Sequence, residues 1–216
     1  LLREEGDERE ALMDALTINV TEFFRNPEMW EVLRTVLTNL TDEQRRVRVW
    51  SAPCADGREA YSLAMLACDD PGIDESRVEV LGSDISEEAL ENARAGVYHT
   101  TRTTDIAEEL APLSEPDRHV ERDGDAFRVR DAPRRLVEFG THDLISDGSR
   151  GPFDVVLCRN LLIYIDTDHK GSLFDTLEAS LAEGGVLVVG MTESVPPDRT
   201  AGYEPVDKRR RVFRRH

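Results

Sequence analysis

Three short segments contain residues whose types and spacing could hold a small ligand. The first is a loop of small residues at positions 51–57 (SAPCADG), directly before a predicted helix. Small side chains allow a ligand to approach the backbone closely, but the loop lacks the GxGxxG pattern that cradles a pyrophosphate. A nicotinamide or flavin dinucleotide is therefore disfavoured.

The other two segments follow predicted strands. The carboxylate of Asp84 is placed to accept hydrogen bonds from a ribose diol, although it could equally assist Ser86 in capping the next helix. In residues 158–164 (CRNLLIY), Asn160 could contact a ligand and Tyr164 could form a wall of its pocket. The alternatives are a turn role for Asn160 and a core position for Tyr164. A nucleoside pocket without phosphate contacts suggests S-adenosylmethionine (SAM).

Alternating strands and helices have to position these segments. Strands are predicted at residues 47–50, 78–81, 153–158 and 186–189, and helices from Pro27, Arg58, Glu87 and Thr167 or Asp168. Asn26 is the expected N-cap before Pro27, and Gly184-Gly185 is the expected end of the last helix. The alternation predicts an α/β fold with a doubly wound, mainly parallel sheet.

Residues 100–144 interrupt this alternation. Residues 127–130 and 136–139 alternate in the manner of strands, and Asp123-Gly124-Asp125 predicts a hairpin turn. We therefore expect a small antiparallel β insertion at about residues 118–142. The expected division is a helical segment and linker at residues 1–45, with a short helix at 11–16, and a main domain at residues 46–216.

Composition argues against several classes of partner and site. The 44 Asp plus Glu exceed the 27 Lys plus Arg, and a net charge of -17 repels nucleic acid and anionic lipid. Lys170 and Lys208 are the only lysines, a composition typical of salt-loving organisms, although an ordinary acidic cytosolic protein is the alternative. Three cysteines without a CxxC pair and five scattered histidines indicate neither a disulfide framework nor a metal site.

The ends of the chain give two further expectations. No leader-like segment opens it and no apolar run approaches the length of a membrane span, so a cytoplasmic location is expected. The basic run at residues 208–215 is expected to be a solvated edge strand, and an acidic partner is the alternative.

Four separated segments resemble the chemotaxis receptor methyltransferases of the CheR family. They are residues 16–26 (LTINVTEFFRN), 49–62 (VWSAPCADGREAYS), 82–85 (GSDI) and 153–164 (FDVVLCRNLLIY). Gly184-Gly185 and Thr192-Glu193-Ser194 are similar to later motifs of the family. The resemblance implies a Rossmann-like class I SAM-dependent methyltransferase sheet with a small antiparallel β insertion and a short N-terminal helical remnant.

The resemblance also implies an activity and a set of site residues. The enzyme would methylate glutamate side chains on cytoplasmic helices of chemoreceptors, acting as a monomer and leaving S-adenosylhomocysteine. Arg25 and Tyr164 are the expected catalytic residues, and no metal is expected. The cofactor would be bound by Asn19, Thr21, Arg25, Glu59, Asp84, Asp143, Leu144, Asn160 and Leu161. For Arg25 the alternative is a surface ion pair with Glu22 or Glu28.

The chain departs from the family pattern at several points. Arg58 and Ala60 stand where the family commonly has Glu and Pro, and Asp143 stands where it usually has Asn. Most of the family's N-terminal helical domain is missing before Leu1, so we expect either a fragment or a reduced role for that domain. The β insertion corresponds to a subdomain that tethers a receptor peptide in some members.

Methyl transfer to a carboxylate needs no general base, because a glutamate with a pKa of ~4.3 is already ionised near pH 7. Catalysis is then expected from alignment and from removal of water around the carboxylate. Cys54 is expected to be a small buried thiol and not a nucleophile. Two other functions stay open: a methyltransferase with a different substrate, and a non-catalytic SAM-binding sensor or scaffold.

Overall fold

The structure is a computed structural model that describes residues 21–216. A seven-stranded sheet lies at its centre. In chain order the strands are β1 (Val47–Ser51), β2 (Val78–Asp84), β3 (Val97–His99), β4 (Val120–Asp123), β5 (Ala126–Val129), β6 (Val137–Thr141), β7 (Phe153–Cys158), β8 (Leu181–Val189), β9 (Tyr203–Asp207) and β10 (Val212–Arg215). The helices are α1 (Pro27–Glu43), α2 (Arg58–Asp69), α3 (Glu87–Ala95), α4 (Ile106–Glu109), α5 (Asp131–Arg134) and α6 (Thr167–Ser180). The helix predicted at 11–16, and Asn19, lie outside the described residues.

The strands of the main sheet run in the order β6-β2-β1-β7-β8-β10-β9. From β6 to β8 neighbouring strands pair in parallel, whereas β10 is antiparallel to both of its neighbours. Strand order reverses between β1 and β7. In open parallel sheets a ligand binds beyond the carboxyl ends of the strands at such a point. The predicted doubly wound α/β fold is confirmed.

Successive residues of the central strands face two separate hydrophobic cores. Val155 of β7 packs into one core with Leu37 of α1 and Leu63 of α2. Val156 packs into the other core with Leu177 of α6. Because both faces of β7 are covered, its sequence is apolar almost throughout, as in the interior of other parallel sheets. Helices therefore cover both faces of the central strands.

A separate small sheet has the strand order β3-β5-β4. The hairpin predicted at residues 123–125 is confirmed, since β4 and β5 pair antiparallel around it. The small sheet lies within residues 97–129, so the predicted bounds of 118–142 are wrong. The strand predicted at 136–139 is β6, which pairs in parallel with β2 at the edge of the main sheet. Half-buried strands alternate in the same way at the edge of a large sheet and in a hairpin. The sequence period of β6 therefore could not show that it pairs with β2.

Two predicted helix signals act differently in the structure. Asn26 precedes α1 but has a left-handed backbone and makes no side-chain cap. Its Oδ1 atom instead accepts a hydrogen bond of 2.6 Å from Arg159 Nη2. Helix α6 ends at Ser180, ahead of the glycine pair, because the chain enters β8 at Leu181. Gly184-Gly185 lies within β8, at an irregularity in the pairing with β7.

The basic C-terminal run is not a solvated edge strand. Its second half is β10, which lies between β8 and β9. Arg214 donates to the carbonyl of Gly184, and Arg215 donates to the carbonyl of Leu181. The order in which strands pair cannot be read from a local run of charges, which is why the prediction failed.

Gly57 offers a test of how closely the first loop is packed. It has φ +87°, and a Cβ there would lie 2.7 Å from Ala93 Cβ and 2.9 Å from Phe139 Cζ. We expect Gly57→Ala to lower the unfolding free energy by about 2–4 kcal/mol, from left-handed strain plus overpacking. Gly124→Ala is the control, since φ is +62° but no atom lies within 4 Å of its Cβ. Equal losses at both positions in urea unfolding would contradict the close packing.

Candidate active site

The three segments singled out in the sequence meet at one edge of the main sheet. β1 ends at Ser51 before the small-residue loop, β2 ends at Asp84, and β7 ends at Cys158 before Arg159. β1 lies between β2 and β7, so these loops are neighbours. The segment after β6 joins them at the same edge, because β6 runs parallel to β2.

Asp84 ties the first loop to the end of β2. Its side chain is largely buried, with the residue 9% exposed. Oδ2 accepts a hydrogen bond of 2.8 Å from the amide of Ala55, and Oδ1 accepts one of 3.0 Å from the amide of Ser86. The carboxylate therefore assists the start of α3, as the alternative prediction stated. Each carboxylate oxygen can accept a further hydrogen bond, so capacity for a diol remains.

Glu59 and Arg159 form a buried ion pair. It spans the crevice, which is the space between the loops that follow β1, β2, β6 and β7. Glu59 accepts a hydrogen bond of 2.7 Å from Ser51 Oγ and one of 3.0 Å from Arg159 Nη1. The Arg159 side chain is only 3% exposed. Its Nη2 atom donates to the carbonyl of Arg25 and to Asn26 Oδ1. No role was predicted for Arg159, although a charged residue directly after an apolar strand was a usable signal.

The segment of residues 21–26 is fixed against α2 through its backbone. Arg58 Nη1 donates to the carbonyl of Thr21 at 2.8 Å, and the amide of Phe24 donates to Ser62 Oγ at 3.0 Å. The Trp30 ring nitrogen donates to the carbonyl of Arg25 at 3.0 Å. Thr21 and Arg25, both half-buried, are thereby held beside the first turn of α2 and beside Arg159.

The loop after β7 is held by a buried carboxylate. Glu193 is 4% exposed and accepts hydrogen bonds from the amides of Asn160 (2.9 Å), Leu162 (2.7 Å) and Gly190 (2.6 Å). The motif Thr192-Glu193-Ser194 is similar to a later family motif, but the sequence alone does not indicate this role. The Glu193 carboxylate therefore fixes the backbone at Asn160.

The residues of this loop face different surroundings. Asn160 is half-buried with φ 60°, and Leu161 packs against the core under α6. Tyr164 is 61% exposed, so the alternative that placed it in the core is wrong. It follows β7 in the same loop as Asn160.

Asp143 and Leu144 follow β6 at the same edge. Asp143 Oδ1 accepts hydrogen bonds from the amides of Ile145 (2.8 Å) and Ser146 (3.3 Å). Burial opposes ionisation here, but these amides outweigh it and lower the pKa of Asp143. Leu144 is buried against the core that contains Trp50. An ionised Asp143 therefore closes the turn in which the resembled family usually has Asn.

Left-handed backbone conformations concentrate at this edge. Among residues 21–216, five residues other than glycine have positive φ, and four of them lie in the segments described above: Phe24, Asn26, Ala55 and Asn160. Such conformations cost free energy in residues with a Cβ atom and cluster at functional sites. The concentration of such residues at this edge is typical of a functional site.

A family model described as the SAM-binding domain of the CheR methyltransferases matches residues 19–212. The chain belongs to the CheR methyltransferase family. The chemotaxis protein methyltransferase of Listeria monocytogenes is 35% identical over 185 residues, covering 83% of this chain and 67% of that protein. Chemotaxis protein methyltransferase 1 of Pseudomonas aeruginosa is 35% identical over 200 residues, covering 88% and 71%. The family resemblance read from the sequence is confirmed, and SAM is the cofactor.

The crevice of this CheR-family domain fits a nucleoside cofactor. Five of the six large apolar side chains exposed among the described residues follow the carboxyl ends of main-sheet strands: Ile85, Ile145, Ile163, Tyr164 and Met191. Ile85, which is 60% exposed, directly follows the Asp84 carboxylate. An apolar surface next to a hydrogen-bond acceptor suits an adenine ring joined to a ribose.

The described residues show no reactive thiol, no metal-ion cluster and no membrane-spanning helix. Burial, reinforced by the nearby Asp84 carboxylate, raises the pKa of Cys54, and burial also raises that of Cys158. Neither thiol is poised as a nucleophile, since the thiolate is the reactive form. Within residues 21–216 there is no cluster of three or more His, Cys, Asp or Glu side chains suited to a metal ion. No described helix is both long and apolar enough to cross a membrane.

The structure brings most of the predicted site residues to this one edge: Thr21, Arg25, Glu59, Asp84, Asp143, Leu144, Asn160, Leu161 and Tyr164. Asn19 lies outside the described residues. Their contacts with SAM stay predictions.

Asp84→Asn tests the predicted ribose contact. The amide group leaves one acceptor oxygen and turns an NH2 group towards a backbone N–H, so both the loop and the diol lose a partner. We expect affinity for S-adenosylhomocysteine to fall about 10- to 100-fold in calorimetric titration, the range for hydrogen bonds to charged groups. Asp123→Asn, in the exposed part of β4, is the control. Unchanged affinity in Asp84→Asn would remove Asp84 from the site.

Glu193→Gln tests whether the loop after β7 depends on its carboxylate. Three backbone amides donate hydrogen bonds to the two carboxylate oxygens of Glu193, whereas glutamine offers a single acceptor oxygen. We expect faster hydrogen exchange at the Asn160 and Leu162 amides and about tenfold weaker binding of S-adenosylhomocysteine. The exposed Glu183→Gln controls for loss of one charge. If the two variants behave alike, Glu193 does not fix this loop.

Proposed function

We propose that the protein transfers the methyl group of SAM to glutamate side chains of chemoreceptors, giving glutamate methyl esters in chemotaxis adaptation. The observation that supports this most directly is the assembly of Thr21, Arg25, Glu59, Asp84 and Asn160 at one crevice within the span that matches the family. The relatives named as chemotaxis protein methyltransferases add support for the receptor substrate.

SAM supplies an activated methyl group on a sulfonium, and the chain supplies binding and alignment. We assign Asp84 to the ribose, and Ile85, Leu144 and Ile145 to the surroundings of the adenine. Asn19, Thr21 and Arg25 would contact the methionyl part or the acceptor. Asn160 and Leu161 lie on the opposite side of the crevice, after β7.

Arg25 and Tyr164 carry the proposed catalytic roles. A guanidinium binds a carboxylate through two parallel hydrogen bonds, so Arg25 would orient a carboxylate at the crevice. Tyr164 is exposed in the loop after β7, and we assign it to contact with an incoming acceptor. No residue is assigned as a general base, because the acceptor glutamate is ionised above its pKa of ~4.3.

The remaining parts of the proposal concern the partner and the setting. The acceptors would be glutamates on cytoplasmic receptor helices, which places the enzyme in the cytoplasm. We propose that it acts as a monomer, with a helical segment and linker at residues 1–45 and a methyltransferase domain at residues 46–216.

The proposal predicts alkali-labile labelling of a receptor. We would incubate the protein with methyl-labelled SAM and a receptor signalling domain from the same source, in low and in molar salt. We expect label that mild base releases as methanol. The rate of methyl transfer should stay level above about pH 6, because the acceptor glutamate is then fully ionised. The matched control is the same receptor domain in which the glutamates that take up label are replaced by alanine.

Other outcomes would contradict this function. Alkali-stable label, or label in a small molecule without any receptor, would indicate a methyltransferase with another substrate. Tight binding of S-adenosylhomocysteine without transfer to any receptor would indicate a sensor or scaffold.

A further inference from the structure

Arg58 lies where three separate segments of the chain meet. Its side chain is 15% exposed. Nη1 donates to the carbonyl of Thr21 at 2.8 Å and lies 3.5 Å from Glu109 Oε1. Nε lies 3.1 Å from Asp56 Oδ2, a contact of charges and not a well-aligned hydrogen bond. One guanidinium thus joins the 21–26 segment, the first crevice loop and α4.

Glu109, at the end of α4, holds the same segment at a second point. Its Oε2 atom accepts a hydrogen bond of 2.9 Å from the amide of Phe23. Arg58 therefore binds a carbonyl of this segment, and its ionic partner binds an amide two residues later. This pairing fixes the path of the backbone between Thr21 and Phe23.

Tyr98 of β3 attaches the small sheet to the same cluster. Its hydroxyl donates to the carbonyl of Asp56 at 2.7 Å. Its ring lies 5.3 Å from the Arg58 guanidinium and packs edge-on against Phe23 at 4.9 Å. The apolar contacts of Phe23 and the ionic contacts of Arg58 therefore converge on one aromatic side chain.

The balance of charge explains why Arg58 matters to this arrangement. Burial raises the pKa of Asp56 and of Glu109, and Arg58 opposes the rise in both. Without the guanidinium, two largely buried carboxylates would remain with no cation between them. A buried charge that has lost its partner is strongly unfavourable, so the segment is expected to move away.

We propose that Arg58 is a positioning residue that holds the backbone of residues 21–25 in the crevice and so sets the affinity for the amino-acid part of the cofactor. Arg58 acts through Thr21 and Phe23 and does not itself contact the cofactor. The proposal rests on the first of the two roles proposed above for this segment, contact with the methionyl part of SAM.

Two ligands separate this role from a general defect of the crevice. S-adenosylhomocysteine carries the amino-acid part, whereas 5′-methylthioadenosine keeps the adenosine and sulfur but lacks it. In Arg58→Met we expect S-adenosylhomocysteine to bind at least about tenfold more weakly and 5′-methylthioadenosine to change less than about twofold, since only the first ligand reaches the displaced segment. Arg34→Met is the matched control, because it removes an ion pair to Asp70 (2.6 Å) elsewhere.

Two further variants test the charge balance. Glu109→Gln added to Arg58→Met removes one unpaired carboxylate, so part of the affinity for S-adenosylhomocysteine should return. Arg58→Lys keeps the charge but not the planar donor set, and an intermediate loss is expected. It also serves as the test variant if Arg58→Met does not fold.

A measurement without any ligand tests the positioning directly. Hydrogen exchange at the Phe23 amide should accelerate at least about tenfold in Arg58→Met, while the amide of Val155 in β7 should keep its protection. An equal loss of affinity for both ligands, or an unchanged exchange rate at the Phe23 amide, would overturn the proposal. If the unmodified protein binds neither ligand, the proposed function fails, and exchange at Phe23 still decides whether Arg58 positions the segment.

Discussion

The buried guanidinium of Arg159 ties the two sides of the crevice together. Arg159 leaves the end of β7 and reaches both Glu59 on α2 and the turn that precedes α1. Loss of one member of a buried ion pair costs about 3–5 kcal/mol, because the other charge is left without a partner. The segment that carries Thr21 and Arg25 is therefore held at Arg25 by a residue 134 positions away, in addition to the contact of Arg58 with Thr21.

Carboxylate side chains hold most of the other loops at this edge. Asp84, Asp143 and Glu193 each accept hydrogen bonds from two or more backbone amides in the loops beyond the strands. Such bonds satisfy polar groups that would otherwise be unpaired next to an apolar core. The acidic composition of the chain is thus partly structural at this edge, and the cofactor meets loops whose geometry is set before it binds.

Local sequence patterns predicted which segments form strands, helices and turns better than they predicted which strands pair. The buried strands, the small-residue loop and the hairpin at residues 123–125 were predictable because apolar runs and turn residues act over a few positions. The pairing of β6 and β10 was not, since a strand's period carries no information about its neighbour. The same holds within the site: Asp84 could be placed from its position after a strand, whereas the partners of Arg159 and Glu193 come from distant segments.

The span of these contacts also constrains how the domain is made. Arg25 needs Arg159, and Asn160 needs Glu193, which is near the C-terminal strands. During synthesis the N-terminal motif leaves the ribosome long before the residues that hold it, and contacts of such separation form slowly. A nascent or truncated chain that stops before Glu193 therefore lacks the carboxylate that fixes the loop after β7, so the crevice is completed late in synthesis.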